Sequence, residues 1–171
     1  FGESVNSILK LESGDVRVQL ASCEVQARWV IDASGQACVV GRHLRQRKLM
    51  EGLRNVSYFE HFTGVDRPTG DREGYASLLM CREGWFWTIP LDDTHNSIGA
   101  VIDERLAREI PVPANQRLQW CIKQCPLMRE RMENAKGPEL NRVIGDFSYS
   151  CAPYAGEGYF LVGDAATFID P

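Results

Sequence analysis

The stretch Gly84-Trp85-Phe86-Trp87-Thr88-Ile89-Pro90 sets two tryptophans at i and i+2. On a strand such residues share a face, so the two indoles form a stiff apolar wall and Phe86 points the other way. Pro90 has no N–H to donate and ends the ladder. Two such rings are large and apolar and supply no proton-transfer group. Aromatic strand residues also serve as plain sheet core. Two further segments carry polar chemistry. Val30-Ile31-Asp32-Ala33-Ser34-Gly35 and Tyr159-Phe160-Leu161-Val162-Gly163-Asp164-Ala165-Ala166 are apolar runs that end in an acid and small residues. Each reads as a buried strand entering a tight loop, where small side chains let a ligand approach the backbone. A Gly-Asp at a strand's end can offer a carboxylate to sugar hydroxyls, and a helix start after it can offer N–H groups to phosphate. No general acid or base is assignable from the sequence.

With its leading glycine, the Trp85-x-Trp87-x-Ile89-Pro90 segment resembles the Trp-x-Trp-x-Ile-Pro signature of flavin-dependent halogenases. The two acidic segments resemble the later flavin-contacting segments of the FAD-dependent monooxygenase and halogenase superfamily. Phe168-Ile169-Asp170-Pro171 resembles the continuation of that Gly-Asp-Ala stretch. The segments occur in the family's order. The resemblance implies that Asp32, Ala33, Ser34, Gly35, Gly163, Asp164, Ala165, Asp170 and Pro171 contact FAD, with Asp164 on its ribityl–ribose part. It implies that Trp85, Trp87, Ile89 and Pro90 line a tunnel between flavin and substrate.

The activity implied is that of a flavoprotein oxidoreductase of the monooxygenase type. FAD reduced by a flavin reductase, together with O2, turns chloride or bromide into hypohalous acid. That species halogenates an electron-rich aromatic substrate, free or tethered to a carrier protein, in secondary metabolism. The family's Gly-x-Gly-x-x-Gly turn is absent, and its catalytic lysine and chloride loop belong to parts of the family's chain outside these residues. The sequence, from Phe1 to a motif cut at Pro171, therefore reads as an internal segment, inactive by itself and weak in FAD binding. Two alternatives stay open. One is an FAD-dependent monooxygenase or reductase of the same fold that does not halogenate. The other is a non-catalytic β-rich interaction domain, against which the ordered flavin-type segments argue.

These residues must be positioned by a domain of ordinary composition. The chain has 171 residues, 44% apolar and 25% charged, enough for a sizeable core. Nineteen basic against 23 acidic residues leave a net charge of −4, which gives no support for nucleic-acid binding. No apolar run approaches the roughly 18 residues of a membrane span. The six cysteines include no Cys-x-x-Cys pair. Cys121 and Cys125 share a helical face, but His43, His61 and His95 do not join them, so no metal site is expected. Dispersed cysteines suggest a reducing cytoplasm.

The expected fold is α/β (α+β): a partial Rossmann-like FAD-binding domain with an antiparallel sheet domain and helices. Residues 4–11 and 15–21 read as a hairpin, and 24–31 as one strand running to Asp32. Residues 36–54, rich in Arg and Lys, read as a solvated helix or loop. Residues 55–63, 74–81, 84–91 and 95–102 read as four successive strands. From Pro113 the apolar spacing turns helical, with two helices meeting near Pro126. Residues 140–149 and 159–163 return as strands. The expected division is 1–42 as part of the FAD-binding domain, 43–155 as the substrate-facing region, and 156–171 as a return to the FAD-binding domain.

Overall fold

The structure, a computed structural model, describes residues 2–170. The chain forms two compact units. One runs to Leu53 and resumes at Phe147; the other is Arg54–Asp146. The boundaries thus fall at 53/54 and 146/147, where the sequence pattern suggests 42/43 and 155/156.

Unit one begins with β1 (Val5–Glu12), β2 (Asp15–Leu20), β3 (Glu24–Ala27), β4 (Val30–Asp32), helix α1 (Val39–His43) and β5 (Lys48–Leu49). Unit two holds β6 (Asn55–Thr63), β7 (Ser77–Met80), β8 (Gly84–Pro90), β9 (His95–Asp103), α2 (Glu104–Glu109), α3 (Arg117–Gln124), α4 (Pro126–Arg131) and β10 (Arg142–Gly145). Unit one then closes with β11 (Tyr149–Ser150), β12 (Ala155–Gly156), β13 (Tyr159–Leu161) and β14 (Thr167–Phe168).

In unit one, β1, β2 and β3 form an antiparallel sheet. Val16 and Val18 of β2 are buried while Arg17 and Gln19 alternate outward, the half-buried strand pattern. The single strand expected over 24–31 is two strands in two sheets. β3 pairs with β2, whereas β4 lies parallel to β13, Val30 beside Tyr159 and Asp32 beside Leu161. β14, β11 and β5 make a third small sheet. The core gathers Ile8, Cys38, Val40, Tyr149, Cys151, Tyr159 and Leu161.

Unit two is a five-stranded antiparallel sheet in the order β10-β6-β9-β8-β7. The four expected strands are present, and α3 and α4 meet at Pro126, the first residue of α4, where a missing N–H costs nothing. Leu118, Cys121 and Ile122 of α3 and Met128 of α4 are buried in one cluster with Tyr58, Phe62, Phe86, Ile98 and Ile102 of the sheet. Helix α2 was not legible in the apolar spacing; Asp103 starts it by accepting the Arg105 N–H at 2.8 Å. The strand expected over 140–149 is divided between units: β10 pairs with β6, and β11 pairs with β5 and β14. Asp146, between them, takes a left-handed φ of 52° that breaks the run.

Candidate functional site

The two acidic segments come together in unit one through strand pairing. β4 and β13 run parallel, so both open at the same carboxyl edge. The Val30 N–H donates to the Gly158 carbonyl at 2.9 Å and the Val162 N–H to the Asp32 carbonyl at 3.0 Å, which locks the register. The edge beyond parallel strands is where open α/β sheets bind ligands.

The two acids are used differently. Asp32 is 4% exposed and its carboxylate faces inward. One oxygen accepts the Ser34 N–H at 2.9 Å; the other accepts the Val40 N–H at 2.7 Å, inside the first turn of α1. Ser34 Oγ accepts the Val39 N–H at 3.1 Å. Asp32 and Ser34 together therefore satisfy the orphan donors at the start of α1, a job that Cys38, at the N-cap position, does not perform with its own side chain.

Asp164 is half-buried, and its carboxylate makes no hydrogen bond among the described residues. Its backbone is held firmly instead. The Tyr149 hydroxyl donates to the Asp164 carbonyl at 2.7 Å, and the Cys38 thiol lies 3.8 Å from the same oxygen. Burial, then the Cys38 contact, pushes the Tyr149 phenol above its ordinary range, so it stays a proton donor. Gly35 and Gly163 have φ of 62° and 58°, and a Cβ at either would meet nothing within 4 Å. Open space therefore lies before two left-handed backbone turns. A free carboxylate, exposed Ala33 and Ser34, and two open glycines fit a bound sugar–phosphate cofactor. A short 3-10 turn, Gly163–Ala165, stands where a helix start was expected. Asp170 is exposed, and Pro171 lies outside the described residues.

The aromatic wall is in unit two. Trp85, Trp87 and Ile89 share one face of β8, and Phe86 is buried on the other with the helices. The Trp85 and Trp87 ring centroids are 5.9 Å apart and the planes inclined by 52°, so the wall is faceted. Phe59 of β6 extends it, 6.0 Å from Trp87. Pro90 pairs with buried Asn96 and falls on the Phe86 face. The Gly84 that leads the segment is required by space: a Cβ there would lie 2.0 Å from the Val101 carbonyl oxygen. Next to it, the thiols of Cys81 and Cys125 lie 3.1 Å apart. Burial and the Cys125 contact push the Cys81 thiol up to about 12, so it remains protonated at neutral pH.

Four residues that bear on these features carried no sequence signal of their own: Tyr149 and Cys38 beside the Asp164 carbonyl, and Ser97 and Gly99 of β9, where Ser97 Oγ accepts the Trp87 indole N–H and Gly99 leaves room for its ring. The last two could have been found from the β8–β9 turn, whose length sets Ile89 opposite Ser97 and Trp87 opposite Gly99.

No family model matches the chain. The tryptophan 2-halogenase of Chondromyces crocatus is 34% identical over 155 residues, which cover 86% of this chain and 29% of that protein. The flavin-dependent halogenase armH5 of Armillaria mellea is 31% identical over 188 residues, covering 100% of this chain and 36% of that protein. Among solved structures, the myxobacterial chondrochloren halogenase CndH, described as a variant of FAD-dependent halogenases, matches with a TM-score of 0.84 and 30% identity. That match covers 99% of this chain and 41% of that one. The chain thus spans about a third of the length of these curated relatives.

Proposed function

This chain belongs to the flavin-dependent halogenases, and from that premise we propose that the whole protein is an FADH2-dependent halogenase. It uses O2 and chloride or bromide to halogenate an electron-rich aromatic substrate, free or carried on a carrier protein. A flavin reductase supplies the reduced cofactor. The chemistry the cofactor brings when bound is oxygen activation.

The chain's own residues bind and shield. Asp164 accepts hydroxyls of the cofactor's sugar chain. Gly35, Gly163, Ala33 and Ala165 keep the backbone bare for it, Ser34 and Asp32 hold the first loop in shape, and Asp170 and Pro171 follow at the end of the second segment. Trp85, Trp87 and Ile89, with Pro90 closing the strand, line the passage along which the halogenating species travels, and they keep water out of it. The dispersed cysteines support a cytoplasmic setting, and the reaction belongs to secondary metabolism in this reading. Among the described residues no helix is long and apolar enough to cross a membrane.

The observation that carries this reading is the pairing of β4 with β13. It brings Asp32 and Asp164 loops to one sheet edge while leaving the Asp164 carboxylate unspent. The test supplies the full-length protein with reduced FAD, O2, halide and an electron-rich aromatic, then counts halogenated product against peroxide by mass spectrometry. Halogenated product is expected. Hydroxylated product alone, with halide present, replaces this reading with that of a monooxygenase of the same fold.

A further inference from the structure

Trp87 is the most constrained ring of the wall, and the constraint comes from β9. β9 presents Ser97, Gly99 and Val101 opposite Ile89, Trp87 and Trp85 of β8. On its other side, Gly99 is opposite Phe59 of β6. Gly99 has ordinary strand backbone, so conformational freedom does not explain a glycine there. Space does. A Cβ on Gly99 would lie 2.1 Å from Cζ2 and 2.4 Å from both Cε2 and Cη2 of Trp87. The indole therefore lies flat across the bare Cα of Gly99, leaning from β8 toward Phe59, as the 6.0 Å centroid distance records. A strand-interior glycine weakens a sheet unless another group must come this close.

The second constraint is polar. Trp87 is 7% exposed, and a buried indole N–H needs an acceptor. Trp87 Nε1–H donates to Ser97 Oγ at 3.1 Å, two residues along β9 from Gly99. The hydroxyl fixes one edge of the ring and the glycine admits its six-membered part. Both contacts act on the same ring, Ser97 through Nε1 and Gly99 through Cζ2, Cε2 and Cη2. Trp85 has no such hydrogen bond among the described residues and touches Trp87 only ring to ring.

We propose that Ser97 and Gly99 are positioning residues for Trp87: they set the orientation of its indole, and thereby how completely the wall seals the halogenating passage. This rests on the halogenase reading for its consequence and on the geometry alone for the ring's orientation. Three variants separate the contributions. Ser97→Ala removes the acceptor, and Ser97→Thr restores it with a residue suited to strands. Gly99→Ala keeps the acceptor and displaces the ring.

The experiment has two arms in the full-length protein. In the first, 15N-labelled protein gives indole N–H signals, those of Trp29, Trp85, Trp87 and Trp120 among them, with the Trp87 signal assigned by its loss in Trp87→Phe. Ser97→Ala is expected to move that signal and leave the signals of Trp29 and Trp120 in place, and Ser97→Thr to return it. In the second, the ratio of halogenated product to peroxide is measured at saturating halide. Ser97→Ala is expected to lower that ratio about three- to tenfold, the factor that one lost hydrogen bond corresponds to, with Ser97→Thr restoring it. Gly99→Ala is expected to lower it likewise. A Trp87 signal unmoved by Ser97→Ala overturns the proposal. So does an unchanged product-to-peroxide ratio in a parent that does halogenate. If the parent makes no halogenated product, the halogenase reading falls and the indole signal still decides the positioning claim. If Gly99→Ala fails to fold, the two Ser97 variants decide it.

Discussion

Asp32 and Asp164 look alike in sequence, each an acid at the end of an apolar strand, yet the structure gives them opposite duties. Both oxygens of Asp32 accept backbone N–H groups. Those bonds are charge-assisted, each worth about 1.5–3 kcal/mol. Asp32→Ala is therefore expected to lower folding stability by about 2–4 kcal/mol, because the Val40 N–H is buried and loses its acceptor. Urea unfolding measures it. Asp164→Ala touches no protein hydrogen bond among the described residues, so the melt should stay where it is. In the full-length protein, FAD affinity should instead fall about ten- to hundredfold, as read by flavin fluorescence. An Asp164 variant that melts early and still binds FAD normally would reverse these assignments.

At the scale of elements, strand β8 depends on what its neighbours leave room for. Gly84→Ala drives a methyl into the Val101 carbonyl of β9. The two strands must separate at that point or the turn before β8 must rebuild. A loss of at least about 2 kcal/mol is expected, visible as an earlier thermal transition, even though alanine is otherwise a mild change. The far edge of the same sheet is pH-dependent. Arg142 of β10 grips Glu60 of β6 with two bonds, 2.7 Å from Nη2 and 3.3 Å from Nε. The Arg142 bonds hold the Glu60 carboxyl below its ordinary value of 4.5. A depressed acid contributes stability above its unfolded value and loses it as pH falls through the folded one. Parent protein and Arg142→Met should therefore differ in thermal stability at neutral pH and converge as the pH falls from 4.5 through the depressed folded value. Arg142 is half exposed, so the difference at neutral pH is modest and shrinks with salt.

At the scale of the whole chain, the two units differ in how they can fold. Arg54–Asp146 is continuous, and its fourteen-residue buried cluster lies wholly within it. The other unit is made from two stretches separated by that insertion. Residues 54–146 produced alone are expected to fold cooperatively, with a near-UV circular dichroism signal from the packed tryptophans and a single unfolding transition. A featureless near-UV spectrum would show that the cluster needs the rest of the chain. Residues 1–171 by themselves should bind FAD weakly, since phosphate contacts at a glycine-rich turn anchor dinucleotides and no Gly-x-Gly-x-x-Gly occurs among them. Affinity tighter than about 1 μM would contradict this.

Local pattern alone determined a good part of this protein. The Trp85–Trp87 face, the apolar runs that end at Asp32 and at Gly163-Asp164, the four-strand run from Asn55, and the helix pair meeting at Pro126 are all set by side-chain period and by proline, which act over a few residues. What the tertiary structure decided depends on partners distant in the chain. Side-chain period alone could not reveal that the stretches 24–32 and 140–149 are each divided between two sheets, although Gly145-Asp146 within the second is a local turn signal. Pairing, a non-local event, makes that division. The same holds for the site. An Asp at a strand's end signals a loop, but whether its oxygens go to backbone or stay free depends on where the next helix starts. A glycine at 99 signals only a weak strand position, until the fold brings a tryptophan from the neighbouring strand to lie across it.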